Sequence, residues 1–256
     1  MLKIFIRIHC LVLLACLFSA YSYAEQFKVL LFTKSAAWHH KSVNEGVDTI
    51  KLIAQNHHFE VVWHEDANQF NAKNLKQYQA VIFLQTTGDI LNDKQQAALK
   101  GYIQAGNGFV GIHSASDTEY GWPWFGKLVG RRFHIHPEIQ TARMSVIDNK
   151  FPGLEYFPET GLWTEEWYEF GEELSPNLKY ILSVDESTYD PNVQWGEKIG
   201  KGNGDFHPVA WYQDIEGGRS FYTALGHMPA TYSNKAFQEH IYGGIYWAAT
   251  GKGMKK

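Results

Sequence analysis

Cysteine is almost missing from this 256-residue chain: the two present, Cys10 and Cys16, both fall within the first 24 residues. From Glu25 onward there is no thiol, which excludes a disulfide framework, a thiol nucleophile and a thiolate metal site. A phosphate cradle is missing too. GKGNGD, Gly200 to Asp205, has the glycines but not the strand-loop-helix setting that a cradle needs. No Ser-His-Asp signature stands out, so acyl transfer through serine is not expected. Positive charge is not in excess. The formal balance is −4, and it becomes −6 without Lys3 and Arg7 of the first 24 residues. That argues against nucleic acid or an anionic membrane as partner.

The long apolar runs are short as well. IHCLVLLACLFSA follows a basic start, MLKIFIR, and falls below the roughly 20 residues of a membrane span. With Ser22-Tyr23-Ala24 behind it, residues 1–24 read as a secretory signal peptide cut after Ala24. The expectation is an exported, periplasmic protein without an integral membrane span in its mature chain. A retained anchor helix is one alternative. Lipid anchoring through Cys16, in Leu13-Leu14-Ala15-Cys16, is the other. Residues 25–256 are enough for a single domain with a sizeable core. Nine tryptophans fit either a heavy core or a sugar-stacking cleft.

FKVLLF (27–32) is a continuous apolar run, as in a strand buried on both faces, and FEVVWH (59–64), AVIFLQ (80–85) and GFVGI (108–112) read as the next three strands. Helical spacing in KSVNEGVDTIKLIAQN, and in 92–106 with Asn92 as N-cap and Gly106 as stop, alternates with them. That order predicts an α/β fold, a mostly parallel sheet with helices on both faces. The second half adds IQTARMSVID, WTEEWYEF, KYILSVD, HPVAWYQD and RSFYTAL, several of them expected antiparallel. Residues 192–205 read as a long loop and 234–249 as a closing helix.

Ligands of such sheets sit beyond the carboxyl ends of the strands. His39 and His40 follow the first strand; Gln85, Thr86, Thr87 and Asp89 the third; His113, Ser114 and Asp117 the fourth; His227 follows RSFYTAL. His113 occupies the turn where many α/β enzymes hold a nucleophile, which predicts an imidazole exposed at the rim. In RRFHIHPEI, extended backbone would point His134 and His136 to one side, a spacing common in metal sites. In WTEEWYEF alternation puts Glu166 and Tyr168 on one face and Glu165 and Trp167 on the other. A carboxylate among aromatics suits acid–base work. His57, His58 and His64 read as surface or strand-end residues.

GFVGIHSASDT, WPWFGKLVGRRFHIHP, EEWYEF, HPVAW, GRSFYTALGH and FQEHIYGGIYWA, in that order, resemble the ThuA-like family of trehalose-utilization proteins. The resemblance runs from Phe27 to Ala249. It implies a flavodoxin-like fold similar to class I glutamine amidotransferases, with His113 standing where those enzymes keep cysteine, so glutaminase chemistry is not expected. His40, His113, His136, Glu166 and His227 match motif positions, as do His207 and His240, the last on the closing helix. His39 departs from the pattern, where arginine is common. The resemblance further implies carbohydrate catabolism, with 3-keto sugars as substrates.

The expected protein is therefore an enzyme acting on a glycoside or 3-keto glycoside, with His113, Glu166 and Asp117 as catalytic residues. Trp38, Gln85, Thr86, Trp122, Trp124 and Tyr168 are the expected contacts to a small-molecule carbohydrate. His40, His113, His136 and His227 would furnish an all-nitrogen site for a divalent metal such as zinc. The alternative is a non-catalytic sugar-binding or accessory protein, with Trp38, Trp122, Trp124 and Trp167 as its working surface. A homo-oligomer is compatible with either.

Overall fold

The computed structural model describes residues 26–254. The signal-peptide reading, with Cys10 and Cys16, lies outside the described residues. In chain order the elements are β1 (Lys28–Phe32), α1 (Val43–His57), β2 (Glu60–His64), α2 (Ala72–Leu75), β3 (Ala80–Leu84), α3 (Asp93–Gln104), β4 (Gly108–Ile112), α4 (Pro123–Val129) and β5 (Arg131–Ile135). Then follow β6 (Gln140–Val146), β7 (Thr160–Glu165), β8 (Glu169–Glu173), β9 (Lys179–Asp185), β10 (Val193–Trp195), β11 (Lys198–Gly200), β12 (His207–Ile215), β13 (Gly218–Thr223) and α5 (Lys235–Thr250).

Nine strands form one sheet in the order β2-β1-β3-β4-β13-β12-β9-β6-β7. The first five run parallel, in the 2-1-3-4-5 order of flavodoxin-like sheets, with β13 in fifth place. The last four pairings are antiparallel. β3 and β4 are buried at every residue, as their unbroken apolar runs require. Asn92 caps α3 through a full capping box with Gln95. Helix α5 crosses β3, β4 and β13, lying so close that a Cβ at Gly108 would collide with the Ala248 carbonyl.

Two expectations are corrected. Trp163 to Phe170 is not one strand: β7 stops at Glu165, β8 starts at Glu169, and the two pair with different partners, β6 and β5. Residues 192–205 are not all loop, because Val193–Gly200 folds into the β10–β11 hairpin. Two carboxylates fasten the chain just beyond it. Glu169 accepts from the amides of Lys201 and Gly202, and Glu186 from those of Asn203 and Gly204.

Candidate active site

The chain beyond four strands meets at one end of the sheet. His40 lies in the β1–α1 connection, His113 is the first residue past β4, Glu166 the first past β7, and His227 follows β13. His113 takes φ of 54°, a left-handed conformation rare outside glycine, which ends β4 abruptly. Its Nδ1 stands 2.7 Å from the Ala224 carbonyl. A carbonyl only accepts, so Nδ1 carries a proton, and Nε2 is the nitrogen turned toward the cluster. Nε2 stands 2.8 Å from the Tyr168 hydroxyl, 3.3 Å from His227 Nδ1 and 3.4 Å from Glu166 Oε2. Burial pushes the Tyr168 hydroxyl well above its ordinary range, so it stays a donor. His227 Nδ1 is also 3.1 Å from Glu166 Oε2. His40 stands edge-on to both imidazoles, its Nδ1 3.3 Å from Ser114 Oγ.

Charge in this cluster is divided unevenly. Burial would raise the Glu166 carboxyl, but hydrogen bonds from His113 and His227 prevail and hold it well below the usual carboxylate range. Burial works against charge on His227, yet the Glu166 carboxylate raises its pKa. Burial, with repulsion from His113 next, drives His40 down to about 2, so it stays neutral. Burial lowers His136 too, with Glu166 opposing. The His227–Glu166 pair thus stands beside the neutral imidazole of His40.

His40, His113, Glu166 and His227 each offer one ligand atom, all within 4.8 Å of one another. Ligands about 2.1 Å from a tetrahedral or octahedral ion stand about 3.0–3.4 Å apart. The separations of 3.1, 3.3 and 3.4 Å among His113, Glu166 and His227 suit such an ion. Three imidazoles and a carboxylate suit zinc or a similar divalent metal. The Ala224 carbonyl on His113 Nδ1 is the support that metal-binding imidazoles ordinarily have.

A cavity of about 570 Å³ opens above the cluster. His40, Glu166 and His227 reach its floor, Phe133, Tyr168 and Trp195 form an aromatic wall, and Trp38 stands at the lip, 69 % exposed. Asp117 faces the cavity; burial raises its carboxyl, and a hydrogen bond from the Tyr120 hydroxyl to Oδ1 opposes this.

Several expected residues stand elsewhere. His113 is fully buried behind Tyr168 and Glu166 rather than exposed at the rim. His136 is not within the four-residue group; its Nε2 approaches the other oxygen of Glu166, at 3.2 Å. The all-nitrogen set therefore becomes three histidines and Glu166. His134 and His136 part company because β5 ends between them, and His134 turns to the Ile199 carbonyl. Gln85 and Thr86 do not reach the cavity. Gln85, at φ 52°, turns inward to Ser42, Gly226 and Tyr232, and Thr86 pairs with Thr118. Trp122 and Trp124 lie tilted against each other away from the cavity, with Trp124 Nε1 donating to Glu216. Trp167 is buried, donating to the Gln140 carbonyl.

Sequence reasoning passed over Trp195 and Phe133 in the wall and Glu165 beneath the floor. Trp195 sits in a stretch read as loop. Glu165 did carry a signal, its place beside Glu166 between Trp163 and Trp167.

A family model described as "ThuA: Trehalose utilisation" matches residues 28–248. Among solved structures, a ThuA-like protein from Bacteroides uniformis is 20 % identical, with TM-score 0.72 over 89 % of this chain and 93 % of that one. A ThuA-like protein from Parabacteroides merdae is 21 % identical, with TM-score 0.70 over 90 % and 92 %. A β-galactosidase from Bacillus circulans shares the fold over 89 % of this chain but 31 % of its own, at 13 % identity and TM-score 0.53. A search of curated proteins finds no match. The family match takes in every strand of the sheet and all four residues of the cluster, and the chain belongs to the ThuA family.

Proposed function

We propose that this ThuA-family chain is an exported enzyme of carbohydrate catabolism that cleaves a glycoside, specifically a 3-keto glycoside, by proton abstraction. The observation that carries the reading is the convergence of His40, His113, Glu166 and His227 beneath an aromatic-walled cavity. A keto group at C3 acidifies the neighbouring C2–H. A base takes that proton, and the electron pair left on C2 moves into the C2–C3 bond and charges the keto oxygen. Collapse of the enediolate forms the C1–C2 double bond and breaks C1–O, and the departing alkoxide takes up a proton. No nucleophile is required.

Asp117 suits the base. It faces the cavity outside the cluster, burial raises its carboxyl, and Tyr120 orients one oxygen. The four-residue cluster faces the developing negative charge. A divalent cation such as zinc, held by His40, His113, Glu166 and His227, would supply Lewis-acid stabilisation there. Ala224 keeps His113 Nε2 turned into the cluster, and Glu166 holds His227 Nδ1 beside it. Trp195, Phe133 and Trp38 offer apolar faces to sugar rings. The family description supports a disaccharide. Export rests on the reading of residues 1–24.

The test is elemental analysis of tag-free mature protein together with turnover of a 3-keto disaccharide. The expected result is about one transition metal per chain, lost in His113→Ala and Glu166→Gln. Asp117→Asn should keep the metal and lose turnover by about 10²–10⁴-fold. No metal after exposure to zinc, manganese and nickel would move the chemistry to Glu166 and Asp117 alone. The exposed Trp38 and Trp195 favour one second reading, a binding protein, which predicts saturable saccharide binding without product.

A further inference from the structure

Four backbone groups of one dipeptide, Gly226-His227, are all held by side chains from elsewhere in the chain. Glu165 Oε2 accepts from the Gly226 amide at 2.9 Å, and Oε1 from the His227 amide at 3.2 Å. Gln85 Nε2 donates to the Gly226 carbonyl at 2.6 Å, and Ser42 Oγ to the His227 carbonyl at 2.6 Å. Gln85 also donates to Ser42 Oγ at 2.8 Å, which directs the serine proton onward to His227. Glu165 does more: its Oε1 accepts from the amide of Glu166 at 3.1 Å. One carboxylate, fully buried and in no ion pair among the described residues, therefore grips the backbone of two members of the cluster.

Each of these side chains has given up an easier place. Ser42 stands at the N-cap of α1, where serine ordinarily caps the helix, yet it makes no cap bond and goes to His227. Gln85 adopts the left-handed backbone needed to turn inward. Glu165 is taken wholly out of water, with three backbone amides in compensation. Packing alone would be served as well by apolar residues at Glu165 and Gln85. Three costly placements around one dipeptide indicate a demand for its position.

We infer that Glu165 is the positioning residue of this site, with Gln85 and Ser42 as its partners: it sets the spacing between His227 and Glu166. This rests on the reading of the four-residue cluster as the working site. Glutamine cannot replace Glu165. Its one oxygen serves one side, and its NH2 group would face another N–H donor.

The test compares wild type, Glu165→Gln and Ser42→Ala by zinc binding and by the nuclear Overhauser contact between the His113 and His227 rings. For Glu165→Gln the expected result is a zinc affinity about 10–100-fold weaker and loss of the contact. Ser42→Ala should show a smaller loss of both, with circular dichroism native in each. Native spectra with zinc affinity within about twofold and the ring contact retained would overturn the inference. If wild type binds no zinc, the metal reading fails, and the ring contact alone decides. If Glu165→Gln does not fold, Ser42→Ala decides.

Discussion

His240 is the least supported histidine of the fold and the easiest to interrogate. It is fully buried on α5 between Phe157 and Phe221, and neither ring nitrogen has a partner among the described residues. Burial pushes its pKa down to about 3. The folded chain thus holds it neutral, while the unfolded chain protonates it near 6.5. As pH falls below about 6.5 the unfolded state binds the extra proton, and stability drops by about 1.4 kcal/mol per pH unit from this group until about pH 3. His240→Leu should raise the unfolding free energy by about 1–2 kcal/mol at pH 7.5, since it removes two unpaired polar atoms. The gain should widen by about 1 kcal/mol or more at pH 5.5. Urea unfolding at both values measures this, and an equal gain at both would reject the account. The site residues were partly legible for a related reason. Strand ends can be read from apolar runs, and they located His40, His113 and His227. The direction of a side chain leaving a strand end is set by φ, which no run of residues displays. Gln85 turned inward and His113 stayed covered on that account.

At the scale of elements, the β10–β11 hairpin is the piece most clearly placed for recognition. Its base is fastened through Glu169 and Glu186, while Trp195 reaches the cavity wall, edge-on to His136 at 4.6 Å and still 43 % exposed. Trp195→Ala should leave the melting temperature within about 1 °C, because the ring contributes little to the core. On the proposed function it should weaken binding of a disaccharide about tenfold, the loss of roughly 1.4 kcal/mol of stacking. Calorimetric titration with trehalose reads this, and unchanged affinity would remove the hairpin from the binding surface. The hairpin was not legible beforehand, because three-residue strands that pair only with each other bury too little to impose a hydrophobic pattern. The break at Glu166 was hidden for the opposite reason. Alternation in WTEEWYEF runs straight through a point where the chain leaves one sheet and joins a second strand pair. Strands β1, β3 and β4, with their apolar runs, were readable almost residue by residue.

For the molecule as a whole, the cluster ties its two halves together. His40, His113 and His227 leave the parallel half of the sheet, whereas Glu166 leaves β7 at the far antiparallel edge. A cation held by all four would be released only when the halves separate, so its binding should appear as global stability. With zinc at 100 times its dissociation constant, one site stabilises by about 2.7 kcal/mol. For a chain of this size that is a rise in melting temperature of about 5–11 °C. Glu166→Gln should abolish the rise. The pH dependence follows from His227, whose pKa the Glu166 carboxylate raises above the ordinary imidazole value. Below that raised pKa the ion must displace the His227 proton, so affinity should fall about tenfold per pH unit. His40, already neutral down to about pH 2, adds no such competition. Melting curves with zinc from pH 8.5 to 6 should therefore show a shift that shrinks toward acid once the pH falls below the raised His227 pKa. A shift independent of pH would place the ion away from His227, and a shift that survives Glu166→Gln would place it outside the cluster.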